Sequence, residues 1–317
     1  MVQEEAARPD RTALGISIIL ASVLTMAFAD AVVKLVSANL TVWQVFFARS
    51  LFAIPVIIAL SHATGTGLKP RAPKWAFVRS VLLVLTWLAF YAALPVLSLS
   101  VAAVAVYTSP IMIALLSATL IEEPVSKRQW SGVVLGFVGV IAILRPGTDA
   151  FSWFTMLPLL AAALYALAMV LTRSKCREET PLSLSLALNV SFLVTGLTAA
   201  VLLGIIGLGS DTKAAFPFLL GGWLAMGVRE WGLMAFLGVL LAAYSAGVAR
   251  AYQIAAPSII ATFDYAYLVA AALWGFVFFS ERPGLLTIGG MILITVGGLL
   301  AAAPSSKMAP VEEPGTA

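Results

Sequence analysis

Long apolar runs separated by short polar breaks dominate this chain. Ten segments can be drawn, over 13–37, 42–61, 75–97, 99–121, 130–145, 152–172, 181–208, 230–256, 257–279 and 285–303. A bilayer core about 30 Å thick is crossed by about 20 apolar residues of helix, and most of these runs supply them. The pattern predicts an all-α integral membrane protein with ten transmembrane helices. An even number of crossings places both ends of the chain on one side. The first run is longer than a secretory signal core, contains Asp30 and Lys34, and follows a leader that carries Glu4, Glu5 and Asp10, so it reads as a retained helix.

The pattern repeats. Sliding the sequence by 158 residues lays 92–144 on 250–302 without a gap, with 11 identities in 53 positions. Among them are Ala93/Ala251, Ser100/Ser258, Tyr107/Tyr265, Glu123/Glu281, Gly132/Gly290 and Gly139/Gly297. The repeat divides the chain into a tail over 1–12, a first unit over 13–148 (helices 1–5), a second over 149–303 (helices 6–10) and a tail over 304–317. Five crossings per unit is an odd number, so the two units point in opposite directions across the bilayer. Secondary transporters commonly use such inverted repeats to build two nearly equivalent states around a site at the midplane.

Composition agrees with the pattern. The chain is 61% hydrophobic and 11% charged, where soluble domains carry about 25% charged residues. The net charge of +4 lies in short loops rather than on one patch, which argues for membrane orientation and against nucleic acid. Eleven Lys and Arg fall on the side of the N-terminus against four on the other, so both termini are expected in the cytoplasm of a bacterial inner-membrane protein. One cysteine, Cys176, and one histidine, His62, leave no disulfide and no Cys or His metal cluster. Neither a Gly-x-x-x-x-Gly-Lys phosphate loop nor a His-Glu-x-x-His motif occurs, so neither an enzyme nor a cofactor is expected.

Charges inside the membrane are costly and mark candidate function. Arg79 is one turn into its segment and can snorkel. Asp30 and Arg49 each lie about seven residues from the same end of their helices, or roughly 10 Å deep at 1.5 Å per residue, and could pair. Arg250 and Asp264 lie at a matching depth near the opposite face and could pair too. Such pairs either fix helix register or line a polar cavity where they bind, carry a proton or gate. Lys34, one turn beyond Asp30, could greet an anion or snorkel. Trp87, Tyr91, Tyr107, Tyr252, Tyr265 and Tyr267 could stack on a planar substrate. Tyr107 and Tyr265 stand out because the repeat equates them. Pro55, Pro95 and Pro110 should interrupt helices. Glycines at 132, 136, 139, 290 and 297 share helix faces suited to close packing within the chain, with a homodimer face as the alternative. The stretch 209–229 is the longest internal loop, and its apolar piece Phe216–Met226 is too short to span, so it should lie along the outer surface.

Ten helices in five-plus-five, with Glu123-Pro124 and Glu281-Arg282-Pro283 ahead of glycine-containing helices, resemble the drug/metabolite transporter superfamily, EamA-like branch. The resemblance covers 13–303. The stretches Asp30-Ala-Val-Val-Lys34, Phe46–Ala53 and Thr262-Phe263-Asp264-Tyr265 are similar to a bacterial subgroup containing riboflavin and S-adenosylmethionine transporters. This implies a secondary transporter that moves a small organic metabolite, vitamin, nucleoside-like or amino-acid-like, by alternating access. Its partners would be that substrate and membrane lipid. A lipid-linked flippase would instead show a lateral opening, and a non-transporting scaffold would pack Asp30 and Asp264 in apolar groups with no cavity.

Overall fold

A computed structural model describes residues 12–109, 112, 116, 127–144, 152–176, 178–254, 263 and 265–302. Among these, ten helices of eight residues or more follow one another: α1 Thr12–Val36, α2 Val42–Thr64, α3 Pro73–Ala93, α4 Leu99–Val106, α5 Lys127–Leu144, α6 Met156–Lys175, α7 Pro181–Ile206, α8 Val228–Ile254, α9 Ala266–Phe279 and α10 Leu285–Ala302. Six of them, α1, α2, α3, α6, α7 and α8, are long and apolar enough to cross a membrane, and α5, α9 and α10 contain shorter apolar stretches. Glu123-Pro124, Pro110 and Asp264 lie outside the described residues, as do residues 1–11 and 303–317.

Local chemistry sets the ends of these helices. Thr41 and Gln44 form a reciprocal capping box at the start of α2, and Gly65 closes it in the left-handed region at φ 67°. Thr180 caps α7, with Pro181 at its first position, and Ser98 caps α4. Pro95 lies just past the end of α3, as expected. Pro55 does not break α2, which runs through it without interruption. Neighbouring helices re-satisfy or tolerate the missing donor in a membrane interior, so proline alone does not end a spanning helix.

The helices pack in a pattern that survives exchange of the two halves. Moving each helix five places on sends α3 against α6 to α8 against α1, α2 against α8 to α7 against α3, and α1 against α9 to α6 against α4. The pairs α2 with α7, α4 with α9 and α5 with α10 map onto themselves. At the α5–α10 contact a Cβ on Gly139 would come within 2.9 Å of the Gly290 carbonyl, and one on Gly297 within 2.6 Å of the Gly132 carbonyl. Gly132 and Gly290, like Gly139 and Gly297, are separated by the 158-residue repeat. The contact is therefore reciprocal, as across a twofold axis, and the glycine faces pack within the chain. Tyr107 and Tyr265 also meet each other, with ring centroids 5.8 Å apart. Equivalent residues that touch lie next to the axis that relates them.

Large apolar side chains cover the outside, among them Phe77, Val134, Ile205 and Val269. Water would not tolerate that surface, whereas hydrocarbon does. Between α7 and α8 the chain forms two short helices, Ser210–Ala215 and Pro217–Leu220. They lie across the start of α2, where Trp43 Nε1 donates to the Leu219 carbonyl at 2.7 Å, Gln44 Nε2 donates to that of Leu224 at 2.7 Å, and Phe218 is buried.

Candidate functional site

Four helix regions bring one polar cluster into the apolar interior. Asp30 comes from α1, Arg49 from α2, Tyr91 from α3 and Tyr267 from α9, so both halves contribute. Asp30 is 1% exposed and Arg49 4%. The Asp30 carboxylate accepts from the Tyr267 hydroxyl at 2.6 Å and from the Tyr91 hydroxyl at 3.1 Å. Arg49 Nη1 donates in turn to the Tyr91 hydroxyl at 2.8 Å. The sequence suggested that Asp30 and Arg49 could meet, and they do share one cluster. They form no direct ion pair, because Tyr91 stands between them as acceptor to one and donor to the other.

Rings enclose the guanidinium. Its Cζ lies 4.6 Å from the centroid of Phe192, 5.2 Å from Phe46, 5.3 Å from Tyr91 and 5.9 Å from Trp87. Their π faces stabilise a desolvated cation by roughly 0.5–2 kcal/mol per favourable contact, which helps to offset its removal from water. Faces supply no in-plane acceptor, however, and Arg49 Nε and Nη2 have no hydrogen-bond partner. An unpaired buried donor costs about 1–3 kcal/mol, and more when charged. A small cavity adjoins the cluster, bordered by Asp30, Arg49, Trp87, Tyr91, Leu237 and Tyr244. Its volume of about 20 Å³ is enough for one water.

One turn along α1 lies a second polar junction. Lys34 Nζ donates to Glu281 Oε1 at 2.6 Å and also to the Leu97 carbonyl. Glu281 Oε2 accepts from the Leu99 backbone N–H at 2.8 Å, at the start of α4. A carboxylate at a helix N-terminus meets unpaired N–H groups and the positive end of the dipole. Lys34 thus does not snorkel alone; it ties the end of α1 to the α3–α4 and α9–α10 turns. Lys34 and Phe279 also line a cleft of about 640 Å³, whose far wall is Phe216, Phe218 and Leu219. That volume falls in the range of small-molecule sites, about 300–1,000 Å³.

Of the other residues singled out, Trp87 and Tyr91 line the small cavity. Tyr107 and Tyr265 are buried but do not line it, and Tyr107 stacks on Tyr267 at 4.9 Å. Arg250 is exposed on α8. Its suggested partner Asp264 lies outside the described residues, so the geometry of that pair is not on view. Among the described residues no group of three or more His, Cys, Asp or Glu could hold a metal ion.

Residues 13–145 match the EamA-like transporter family. The first half of the chain is an EamA-like transporter domain. The chain containing this EamA domain is 27% identical to the pseudopaline exporter CntI of Pseudomonas aeruginosa (strain UCBPP-PA14), over 89% of its own length and 93% of the exporter's. It is 29% identical to the riboflavin transporter of Rhizobium johnstonii, over 82% and 79% of the two chains. It is 23% identical to the S-adenosylmethionine uptake transporter of Rickettsia prowazekii, over 88% and 89%. A crystal structure with 17% identity superposes at a TM-score of 0.60 over 92% of this chain and 97% of its own, which establishes the fold. Names of transporters, not of enzymes, attach to these relatives, and this chain is a multi-pass protein of the bacterial inner membrane.

Sequence reasoning underweighted three residues of the site. Tyr267 was one aromatic among several, Tyr244 was not singled out, and Glu281 appeared only as a marker of the repeat. The signal for Glu281 was present: the repeat kept it in a turn next to Ser280, which adopts a left-handed φ of 54° and aims the turn back at Lys34. Nothing in the spacing could have paired it with a residue 247 positions away.

Proposed function

We propose that this protein is a secondary transporter that carries a small organic metabolite across the inner membrane by alternating access between two inverted halves. The Asp30–Tyr91–Arg49–Tyr267 cluster is the substrate site. One observation carries the reading: a buried polar cluster assembled from both halves sits one helical turn from a metabolite-sized cleft, with Lys34 and Glu281 bonded between them. Rocking the halves about the axis near Tyr107 and Tyr265 would separate Tyr267 from Asp30 and the α9–α10 turn from Lys34. The small cavity could then join the cleft. The positive-inside count assigns the Lys34 end to the outside and both termini to the cytoplasm, so this conformation is closed toward the outside at Lys34–Glu281. Arg250 and Asp264 are the corresponding candidate gate toward the cytoplasm.

A scaffold would pack Asp30 in apolar groups without a cavity; its tyrosine partners and the adjoining cavity argue against that reading. The named substrates of the relatives differ and include both an exported and an imported compound, so neither substrate nor direction is inherited. The test is counterflow in proteoliposomes loaded in turn with flavins, adenosyl compounds, nucleosides and amino acids. Accumulation of one labelled compound, lost in Asp30→Asn, is expected. No exchange of any compound by folded protein would overturn the reading.

A further inference from the structure

We propose that Arg49 is a carboxylate-binding residue, and that the substrate is a metabolite with a free carboxylate held by the Nε–Nη2 edge of its guanidinium. This rests on the reading of the cluster as the substrate site and names the chemical class it takes.

The protein leaves part of this guanidinium unused. Of the guanidinium nitrogens, Nη1 is engaged by Tyr91, while Nε and Nη2 are buried without an acceptor. Buried polar groups are nearly always paired, so two unpaired donors on one charged group call for an explanation. They are also the two nitrogens that share one edge of the planar group. Their N–H bonds run parallel, at the spacing of the two oxygens of a carboxylate.

The surroundings narrow the choice further. Asp30 is occupied by two tyrosine hydroxyls and lies beyond ion-pair distance, since the ion pairs among the described residues are Lys34–Glu281 and Arg71–Glu178. Phe46, Trp87, Tyr91 and Phe192 offer ring faces rather than acceptors. Arg49 is the one cationic side chain that borders the small cavity, and Asp30 borders it too, so the site has at most one positive charge to offer an anion. A phosphate monoester, with close to two charges, would leave one uncompensated in a low-dielectric interior. The present cavity admits only a water, so the carboxylate enters when the cavity opens to the cleft. The rings then wall the apolar remainder of the ligand.

The experiment is calorimetric binding to the purified full chain in detergent. The probes are benzoate, phenylalanine and S-adenosylmethionine, with benzamide, phenylalaninamide and riboflavin as probes without a carboxylate. At least one acid should bind ten times more tightly than its amide, a difference of about 1.4 kcal/mol. Arg49→Lys keeps the charge but not the fork, and should bring the acid-to-amide ratio below about threefold; Arg49→Gln serves if Arg49→Lys does not fold. A structural role alone would lower the melting temperature of either variant and leave the ratio intact, which overturns the proposal. So does an acid-to-amide ratio near one in the wild type, or the binding of riboflavin alone. Transport of riboflavin with no preference for acids would sink the carboxylate assignment and spare the transporter reading. Acid-selective binding without counterflow of any compound would do the reverse.

Discussion

The two halves share a scaffold but not a chemistry. The N-caps Thr41 and Thr180 align α1–α2 with α6–α7 at an offset of 139, which sets Lys34 against Arg173, Asp30 against Met169 and Arg49 against Leu188. The first half carries a buried carboxylate and guanidinium; the second has a thioether and an isobutyl group in their places. Elsewhere the symmetry is close, in the reciprocal glycine contacts of α5 and α10 and in the tyrosines that meet at the axis. The difference separates two requirements. Nearly equivalent packing is what lets two conformations have similar free energies, whereas one substrate needs one set of polar groups. A second buried ion set in α6–α7 would add a desolvation cost of several kcal/mol per ion with no ligand to offset it.

That comparison can be broken first at Asp30. Asp30→Ala leaves Arg49 charged, buried and without its relay, and should lower stability by about 3–5 kcal/mol in denaturant unfolding. Met169→Leu, the matching change in the other half, should cost under about 1.5 kcal/mol and leave counterflow intact, because volume and polarity are kept. Equal losses would show that both positions serve packing alone.

Tyr267→Phe sharpens the same contrast with a single atom. It removes a 2.6 Å hydrogen bond to a buried carboxylate and should cost about 1.5–3 kcal/mol, with a fall in transport of at least tenfold. A Tyr267→Phe protein with wild-type melting temperature and counterflow would place Asp30 outside the working site.

The symmetric part is probed by Gly139→Leu and Gly297→Leu. Each forces a side chain into the facing backbone and should destabilise by about 1–3 kcal/mol in denaturant unfolding. A large inequality in the melting curves would mean that the two ends of this contact are loaded differently.

The last test lies at the junction one turn along α1. The Lys34 and Glu281 side chains are only 12% and 17% exposed, so Glu281→Gln leaves a mostly buried Lys34 without its countercharge and should cost about 1–3 kcal/mol. Its consequence should be kinetic. In a Cys176→Ser background, a cysteine introduced by Ala29→Cys beside the small cavity should react faster with a thiol reagent applied from the Lys34 end once Glu281→Gln is present. Unchanged labelling would remove Lys34–Glu281 as a closure. The exposed Arg71–Glu178 pair is the control, since surface pairs contribute little to stability or conformation.

Much of this was legible beforehand, for reasons that differ by residue. Helix positions followed from apolar run lengths, since a bilayer of fixed thickness leaves few other ways to bury a backbone. The pairing of Gly139 with Gly290 and Gly297 with Gly132 was foreshadowed by one fixed offset, because a repeated fold brings equivalent residues to equivalent contacts. Asp30 and Arg49 stood out because intramembrane charge is rarely without purpose. Depth arithmetic placed both at one level but could not give the rotation of each helix about its axis, and that rotation decides which side chains meet.

The solvent of this protein, its helices, its repeat and the charges that matter could thus be read from composition and spacing along one chain. Tertiary structure alone decided that Tyr91 stands between Asp30 and Arg49, that Tyr267 crosses from the other half to the same carboxylate, that Glu281 holds Lys34, and that one edge of a guanidinium is left open. Each of these depends on how helices far apart in sequence are rotated and packed against one another, and hydrogen bonds at 2.6–3.1 Å are sensitive to shifts that no periodicity records.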